Sequence, residues 1–410
     1  MSEKEQDGKS AFGNDSEETT EDSRMQGILF EEGSSGSKSR SESASGRNDQ
    51  AVTVLLGLAS VEGLGFKTLE RLFDSGLMHN YSDWEESQVI QAFESTNTRL
   101  DSSTIKAIGR DRKKYVSKGR GSLEALRERN ISVLTLGSAS YPTGLEDRLD
   151  EPPRWLFVKG NVSVLNSNSM VGLVGTREPS HTGMWIAERA AKAMAQRNFV
   201  VISGLARGID SASHRGAVDA FARSVAVLGY GLNMDMSREQ SELASLMVDL
   251  DGAVVSEYLP NDPPSRSGYL RRNEVVAALS GLIIPVECPS LQSGTGSTIR
   301  RAQKIGTPVV GITPERTVEE ESLKQTVNNL KREGIDVLTV LSHQSEEFWT
   351  YLSQKFPDHD WGHERDRIER FIGYEAERIV QNIKKGIGED SIGVSDIEEL
   401  ARTVRRLLKK

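Results

Sequence analysis

The chain has 410 residues, of which 27% are charged and 36% hydrophobic, and carries a formal net charge of −9. That length allows two or three domains with cores of their own, and nothing approaches the roughly 18–20 uninterrupted apolar residues a membrane-spanning helix requires. The one cysteine, Cys288, excludes an intramolecular disulfide and fits a reducing cytoplasm, and the opening MSEKEQDGKS lacks the apolar centre of a secretory signal, so export is not expected.

Residues 1–50 hold twelve Asp/Glu against six Lys/Arg, so −6 of the −9 sits there and only −3 belongs to the rest. Rich in Ser, Gly and acid and nearly empty of aromatic and β-branched residues, this stretch reads as a disordered acidic tail. Over 51–129 the pattern is helical. VTVLLGLASVEGLGFKTLERLFDSGL reads as helix, Gly-containing turn (Gly63, Gly65) and helix, which suits either a phosphate-binding helix-hairpin-helix or an ordinary hairpin in a small bundle.

Strand-like runs follow at 131–137 and 155–160, then at 170–175, 199–204, 224–231, 252–258, 281–287 and 308–314. Segments of helical character lie between the later ones. Continuously apolar strands at regular spacing indicate a mostly parallel sheet covered on both faces, a doubly wound Rossmann-like α/β domain over about 130–345. Residues 346–410 read as a helical C-terminal region, clearest at FWTYLSQKF and IEELARTVRRLLKK.

In an open parallel sheet, ligands bind beyond the carboxyl ends of the strands, so the loops there carry the chemistry. These loops bring Gly175 and Arg177; Ser203, Gly204, Arg207, Asp210, His214 and Arg215; Arg266, Tyr269, Arg271, Arg272 and Asn273; and Ser293, Gly294 and Gly296. Gly permits close backbone approach, helix N-termini offer free N–H groups, and Arg presents paired donors matched to phosphate oxygens. The pattern asks for phosphates. Each Arg taken singly also suits a structural ion pair, with Asp210, Glu257 or Glu274 as partners.

Other chemistries fit less well. The first strand–helix turn lacks the G-x-G-x-x-G fingerprint, the acidic residue expected after the second strand is replaced by Gly204-Leu205-Ala206-Arg207, and no G-x-x-x-x-G-K-[ST] is present. No cofactor is therefore expected. His214 and Asp210, four apart, suit an orienting pair, but without a Ser or Cys in a nucleophile elbow they read as packing or capping residues. Cys288 reads as a small core residue. His359 and His363 with Asp358 and Asp360 have metal-compatible spacing but no further ligand cluster, so a solvated turn is the simpler reading, and no metal is expected.

SGLARGIDSASHRGA, the GTR loop, AVLGYGLN, SEYLPNDPP with YLRRNEVVAALSGLIIPVE, NNLKREGIDVL, and upstream YPTGLEDRLDEPPRWLFVKGN together resemble the DNA-processing protein A (DprA/Smf) family, over about residues 130–340. The resemblance implies a non-enzymatic single-stranded DNA-binding protein. It further implies loading of a RecA-type recombinase and a homodimer acting in recombination or natural transformation. It places Arg177, Ser203, Gly204, Arg207, Asp210, His214, Arg215, Arg271, Arg272 and Asn273 in the pocket. Glu274 stands where the family commonly has a second Arg, SGTGSTIR replaces an SGSL-type loop, and the C-terminal region does not resemble the family's winged helix. Two other classes remain open on the same fold: a lysine-decarboxylase-like phosphoribohydrolase, whose PGGxGTxxE glutamate is not found here, and a nucleotide-ligand sensor.

Overall fold

The computed structural model describes residues 48–96, 98–314, 320–340 and 346–361. Nearly all of the expected acidic tail, and the helix expected over IEELARTVRRLLKK, lie outside the described residues.

A helical layer comes first: α1 (48–58), α2 (Phe66–Asp74), α3 (Leu77–Asn80), α4 (Glu86–Glu94), α5 (Ser102–Arg110) and α6 (Arg112–Glu128). α1 and α6 touch backbone to backbone, because a Cβ on Gly119 would lie 1.8 Å from the Thr53 carbonyl oxygen and one on Gly57 2.1 Å from that of Tyr115. The apolar faces of these helices, through Leu55, Leu69, Phe73, Phe93 and Leu126, share one cluster with Ile131, Val133, Trp155 and Phe157 of the first two strands. Phe66, at the start of α2, stacks on Tyr258 and meets Trp155 edge-on, so this helix start is directed into the aromatic cluster beside the sheet.

The sheet follows: β1 (Ile131–Thr135), α7 (Thr143–Arg148), β2 (Trp155–Gly160), β3 (Met170–Gly175), α8 (His181–Ala195), β4 (Val200–Ser203), α9 (Ile209–Val218), β5 (Ser224–Leu228), α10 (Arg238–Asp249), β6 (Ala253–Ser256), α11 (Arg266–Leu279), β7 (Leu282–Glu287) and α12 (Gly294–Lys304). Its order is β1-β2-β6-β5-β4-β3-β7. β2 runs antiparallel to both neighbours and the five strands from β6 to β7 are parallel. This is the mostly parallel, doubly wound α/β arrangement that the strand spacing predicts. The period of two is visible in the cores: Val171, Leu173, Val201 and Ile284 pack under α8 and α9, whereas Met170, Val174, Ile202, Val225 and Ile283 pack under α11 and α12.

The run at 308–314 departs from the expected continuation of the parallel sheet. Its strand, β8 (Gly311–Pro314), pairs in parallel with β9 (Val337–Val340) in a separate two-stranded sheet, and the run meets β7 at one isolated bridge, Ile283–Val309, just before β8. Ile283 donates to Pro308 and accepts from Val310, so the β7 backbone facing this side continues at Pro285, two residues on. Proline has no N–H to extend that ladder, and the chain turns away to pair elsewhere. α13 (Glu321–Arg332) connects β8 to β9, and α14 (Glu346–Lys355) returns Phe348, Leu352 and Phe356 to the main core.

Candidate nucleic-acid interface

The strand order reverses between β3 and β7, so the loops leaving these two strands diverge and open a crevice beyond their carboxyl ends. Serine N-caps fix the helices around it. Ser180 Oγ accepts from the N–H of Gly183 at 2.9 Å, Ser265 Oγ from Gly268 at 2.9 Å, and Ser293 Oγ from Gly296 at 3.2 Å, starting α8, α11 and α12. The Glu287 carboxylate, buried at the end of β7, accepts from Ser180 and Ser322 and ties the start of α8 to β7.

A cleft of about 1190 Å³ occupies this crevice, and its lining includes six cations, Arg177, Arg266, Arg272, Arg300, Arg301 and Lys304, against a single carboxylate, Asp210. Three of the cations are paired: Arg272 with Asp210 at 3.3 Å, Arg301 with Glu274, and Lys304 with Asp150 at 3.1 Å. Arg177, Arg266 and Arg300 form no ion pair among the described residues. Arg177 instead lies over the Tyr269 ring, 4.9 Å from its centroid, and Arg300 Nη1 donates to the Leu291 carbonyl.

Arg272 is the deepest of these groups, with 7% of its side chain exposed. Its guanidinium lies against Gly204, where a built Cβ would fall 1.2 Å from Nη1. Its Nε has no hydrogen-bond partner among the described residues. A buried, incompletely satisfied guanidinium at the floor of an open cleft is chemically prepared for an anion. Its neighbour His214 is fully buried, and its Nδ1 lies 2.7 Å from Ser224 Oγ. Ser224 Oγ donates to the Val201 carbonyl, so His214 Nδ1 carries the proton given to the serine oxygen. Burial, and secondarily the Arg272 charge, hold the His214 pKa down to about 3, so the ring is neutral.

The sequence-selected residues therefore separate. Gly175, Arg177, Asp210, Arg272, Asn273, Ser293 and Gly294 line the cleft. Gly204 and Gly296 are buried behind it, and Ser203 is buried with its hydroxyl on the Leu173 carbonyl at 2.6 Å. Arg207 is exposed and pairs with Glu178 at 3.1 Å. Arg215 is exposed on α9 and does not line the cleft. Arg271 is bound to Glu257 at 3.2 Å and Glu274 at 2.7 Å. Glu257 is itself buried, which raises its pKa, and Arg271 partly offsets that.

Sequence reasoning missed the α12 stripe. Ser297, Arg300, Arg301 and Lys304 stand at i, i+3, i+4 and i+7 and all reach the cleft. Arg301 also offsets Glu274: the carboxylate at that position sits between Arg271 and Arg301, so two arginines balance Glu274 and Glu257.

His214 and Asp210 do not pair with each other. One holds Ser224 and the other Arg272. His359 has both ring nitrogens engaged, with Ser169 Oγ at 2.6 Å and the Arg197 carbonyl at 2.7 Å, and its ring stacks on Phe199; His363 lies outside the described residues. Cys288 is buried with Ile299, Leu330 and Ile335. Among the described residues no group of three or more His, Cys, Asp or Glu could hold a metal, and no helix is long and apolar enough to cross a membrane.

Fold and cleft together define an open α/β protein with a cationic, phosphate-suited crevice at its switch point. The chain belongs to the DNA recombination-mediator protein A family, whose model matches residues 132–348. It is 32% identical to the DNA processing protein DprA of Bacillus subtilis over 190 residues, 46% of this chain and 63% of that protein. It is 32% identical to the protein Smf of Escherichia coli over 222 residues, 52% of this chain and 59% of that protein. The matches thus span less than two thirds of either relative's length. Among solved structures it is similar to DNA processing protein A of Streptococcus pneumoniae, with TM-score 0.47, 25% identity, and coverage of 67% of this chain and 95% of that one. It is also similar to DNA processing protein A of Helicobacter pylori, described for its single-stranded DNA binding mode, with TM-score 0.47, 24% identity, and coverage of 55% and 97%.

Proposed function

We propose that the cleft binds the phosphate backbone of single-stranded DNA and that the protein works as a recombination mediator rather than an enzyme. The observation that carries this reading is the convergence of six cations from the loops and helices after β3, β6 and β7 on one crevice that holds a single carboxylate. Guanidinium and ammonium groups release counterions on binding a polyanion, which supplies affinity without base readout. Binding rather than catalysis is supported by His214 and Asp210 being committed to other partners.

Membership of a recombination-mediator family supports a RecA-type recombinase as the partner that receives the strand, a homodimer as the working form, and DNA uptake in natural transformation as the setting, all in the cytoplasm. In this reading residues 51–129 form a helical domain, 130–345 the DNA-binding domain and 346–410 a C-terminal region, behind an acidic tail. Anisotropy titration of single- and double-stranded oligonucleotides at two ionic strengths tests the central part. Tighter single-strand binding that falls steeply with salt is the expected result, and a flat salt response overturns it.

A further inference from the structure

The cleft accounts for only part of the positive charge. Residues 99–120 carry eight Lys and Arg against two Asp, a net of +6 within a chain of net −9. Both carboxylates are already engaged. Asp101 caps α5 by accepting from the N–H groups of Ser103 and Thr104 at 2.9 Å, and Asp111 pairs with Arg110 at 3.2 Å. Lys106, Lys113, Lys114, Lys118 and Arg120 are exposed and form no ion pair among the described residues. The last four stand on α6, whose opposite face is buried through Tyr115, Gly119, Leu123 and Leu126. At about 100° of rotation per residue, Lys113 and Arg120 make one row along the outer face, and Lys114 and Lys118 make a second row about 130° around the helix. The line between the rows holds two small residues, Ser117 and Gly121.

We infer that this face of α6 is a DNA site distinct from the cleft, and that its ligand is duplex DNA seated with its major groove on the helix. A major groove is about 12 Å wide and walled by two phosphate rows, and an α-helix with its side chains is about 10–12 Å across. Two rows of cations on opposite flanks reach both walls at once, while Ser117 and Gly121 let the helix axis approach the groove floor. A single strand offers one phosphate row and leaves the second row of cations unused. An anionic bilayer needs an apolar face to bury, and the exposed residues of α6 include no aromatic or branched aliphatic side chain. Glu124 and Glu128 follow on the same outer face, so the first half of the helix makes the contact. The site lies well apart from the cleft. α6 shares a core cluster with β1 through Leu123, Leu126, Ile131 and Val133, whereas the cleft opens between β3 and β7. Five strand spacings, about 24 Å, separate β1 from β3. One molecule thus has room for a single strand and a duplex together.

The test uses the full chain, a labelled duplex and unlabelled oligothymidylate. The unsubstituted chain, saturated with oligothymidylate, still takes up the duplex. In the quadruple variant Lys113→Gln, Lys114→Gln, Lys118→Gln, Arg120→Gln, duplex affinity falls roughly 10- to 100-fold and its salt slope drops by about 3.6, at about 0.9 per phosphate contact. Oligothymidylate binding keeps its affinity, and the melting curve is nearly unchanged because Gln is as good a helix former as Lys or Arg at exposed positions. Full displacement of the duplex by oligothymidylate from the unsubstituted chain overturns the inference without any variant. So does unchanged duplex binding in the quadruple variant, or an equal loss of single-strand binding there. Capture of the chain by phosphatidylglycerol vesicles, lost in the quadruple variant while duplex binding persists, assigns the face to a membrane instead. Failure of single-strand binding to depend on the cleft cations overturns the reading of the cleft and leaves this site standing.

Discussion

The guanidinium of Arg272 occupies the space that a side chain on Gly204 would need. A Cβ at residue 204 would lie 1.2 Å from Nη1 and 1.9 Å from Cζ. The glycine after β4 thus serves an arginine that arrives from α11, more than sixty residues later, and Asp210 at 3.3 Å holds that arginine in place.

Replacing Gly204 with alanine tests this dependence. The methyl group must displace a buried, ion-paired guanidinium, an overpacking that costs about 1–3 kcal/mol. Gly204→Ala is expected to lower the denaturant midpoint without changing the m-value, and to weaken oligonucleotide binding in the same variant. Full stability with full binding would show that Arg272 relocates freely.

His214 makes stability depend on pH. Its pKa is about 3 in the fold and 6.5 in the unfolded chain, so between those values the unfolded state binds the extra proton. The contribution is complete above pH 6.5 and is lost as pH falls through the window, at up to ~1.4 kcal/mol per unit, or about 2 kcal/mol by pH 5. Melting curves at pH 7.5 and pH 5 check it. His214→Gln is expected to show a smaller acid-induced fall than the unsubstituted chain.

Glu274 draws on two arginines at once, Arg271 and Arg301. Glu274→Gln frees Arg301 toward the cleft while Arg271 keeps Glu257. Single-strand affinity is expected to rise a few-fold at low salt, with the salt slope steeper by about 0.7, the value of one more phosphate contact. Titration at four or more salt concentrations measures both.

The sequence makes the loops after the strands legible because apolar runs end sharply and Gly/Ser clusters follow. It does not make side-chain direction legible. Arg271 and Arg272 are adjacent, yet about 100° of helical rotation sends one to Glu257 and the other into the cleft. Arg207 and Arg215 flank the cleft residue Asp210 in the chain, yet neither lines the cleft: Arg207 pairs with Glu178 and Arg215 is exposed on α9. The separate pairing of β8 was written in Pro285, whose missing N–H acts only on the one side of β7 where a new strand would have to join. Seeing that requires the register of the ladder. The cations of α12 are legible in principle, because Arg300, Arg301 and Lys304 follow Ser297 at i+3, i+4 and i+7 and so share one helical face.

The most direct measurement is the slope of log affinity for single-stranded oligonucleotide against log salt, in the unsubstituted chain and in the triple variant Arg177→Ala, Arg266→Ala, Arg300→Ala. These three cations line the cleft and have no carboxylate partner among the described residues. At about 0.7 per phosphate contact, removing them is expected to reduce the slope by roughly two. An unchanged slope would mean that the strand is held elsewhere and would contradict the account.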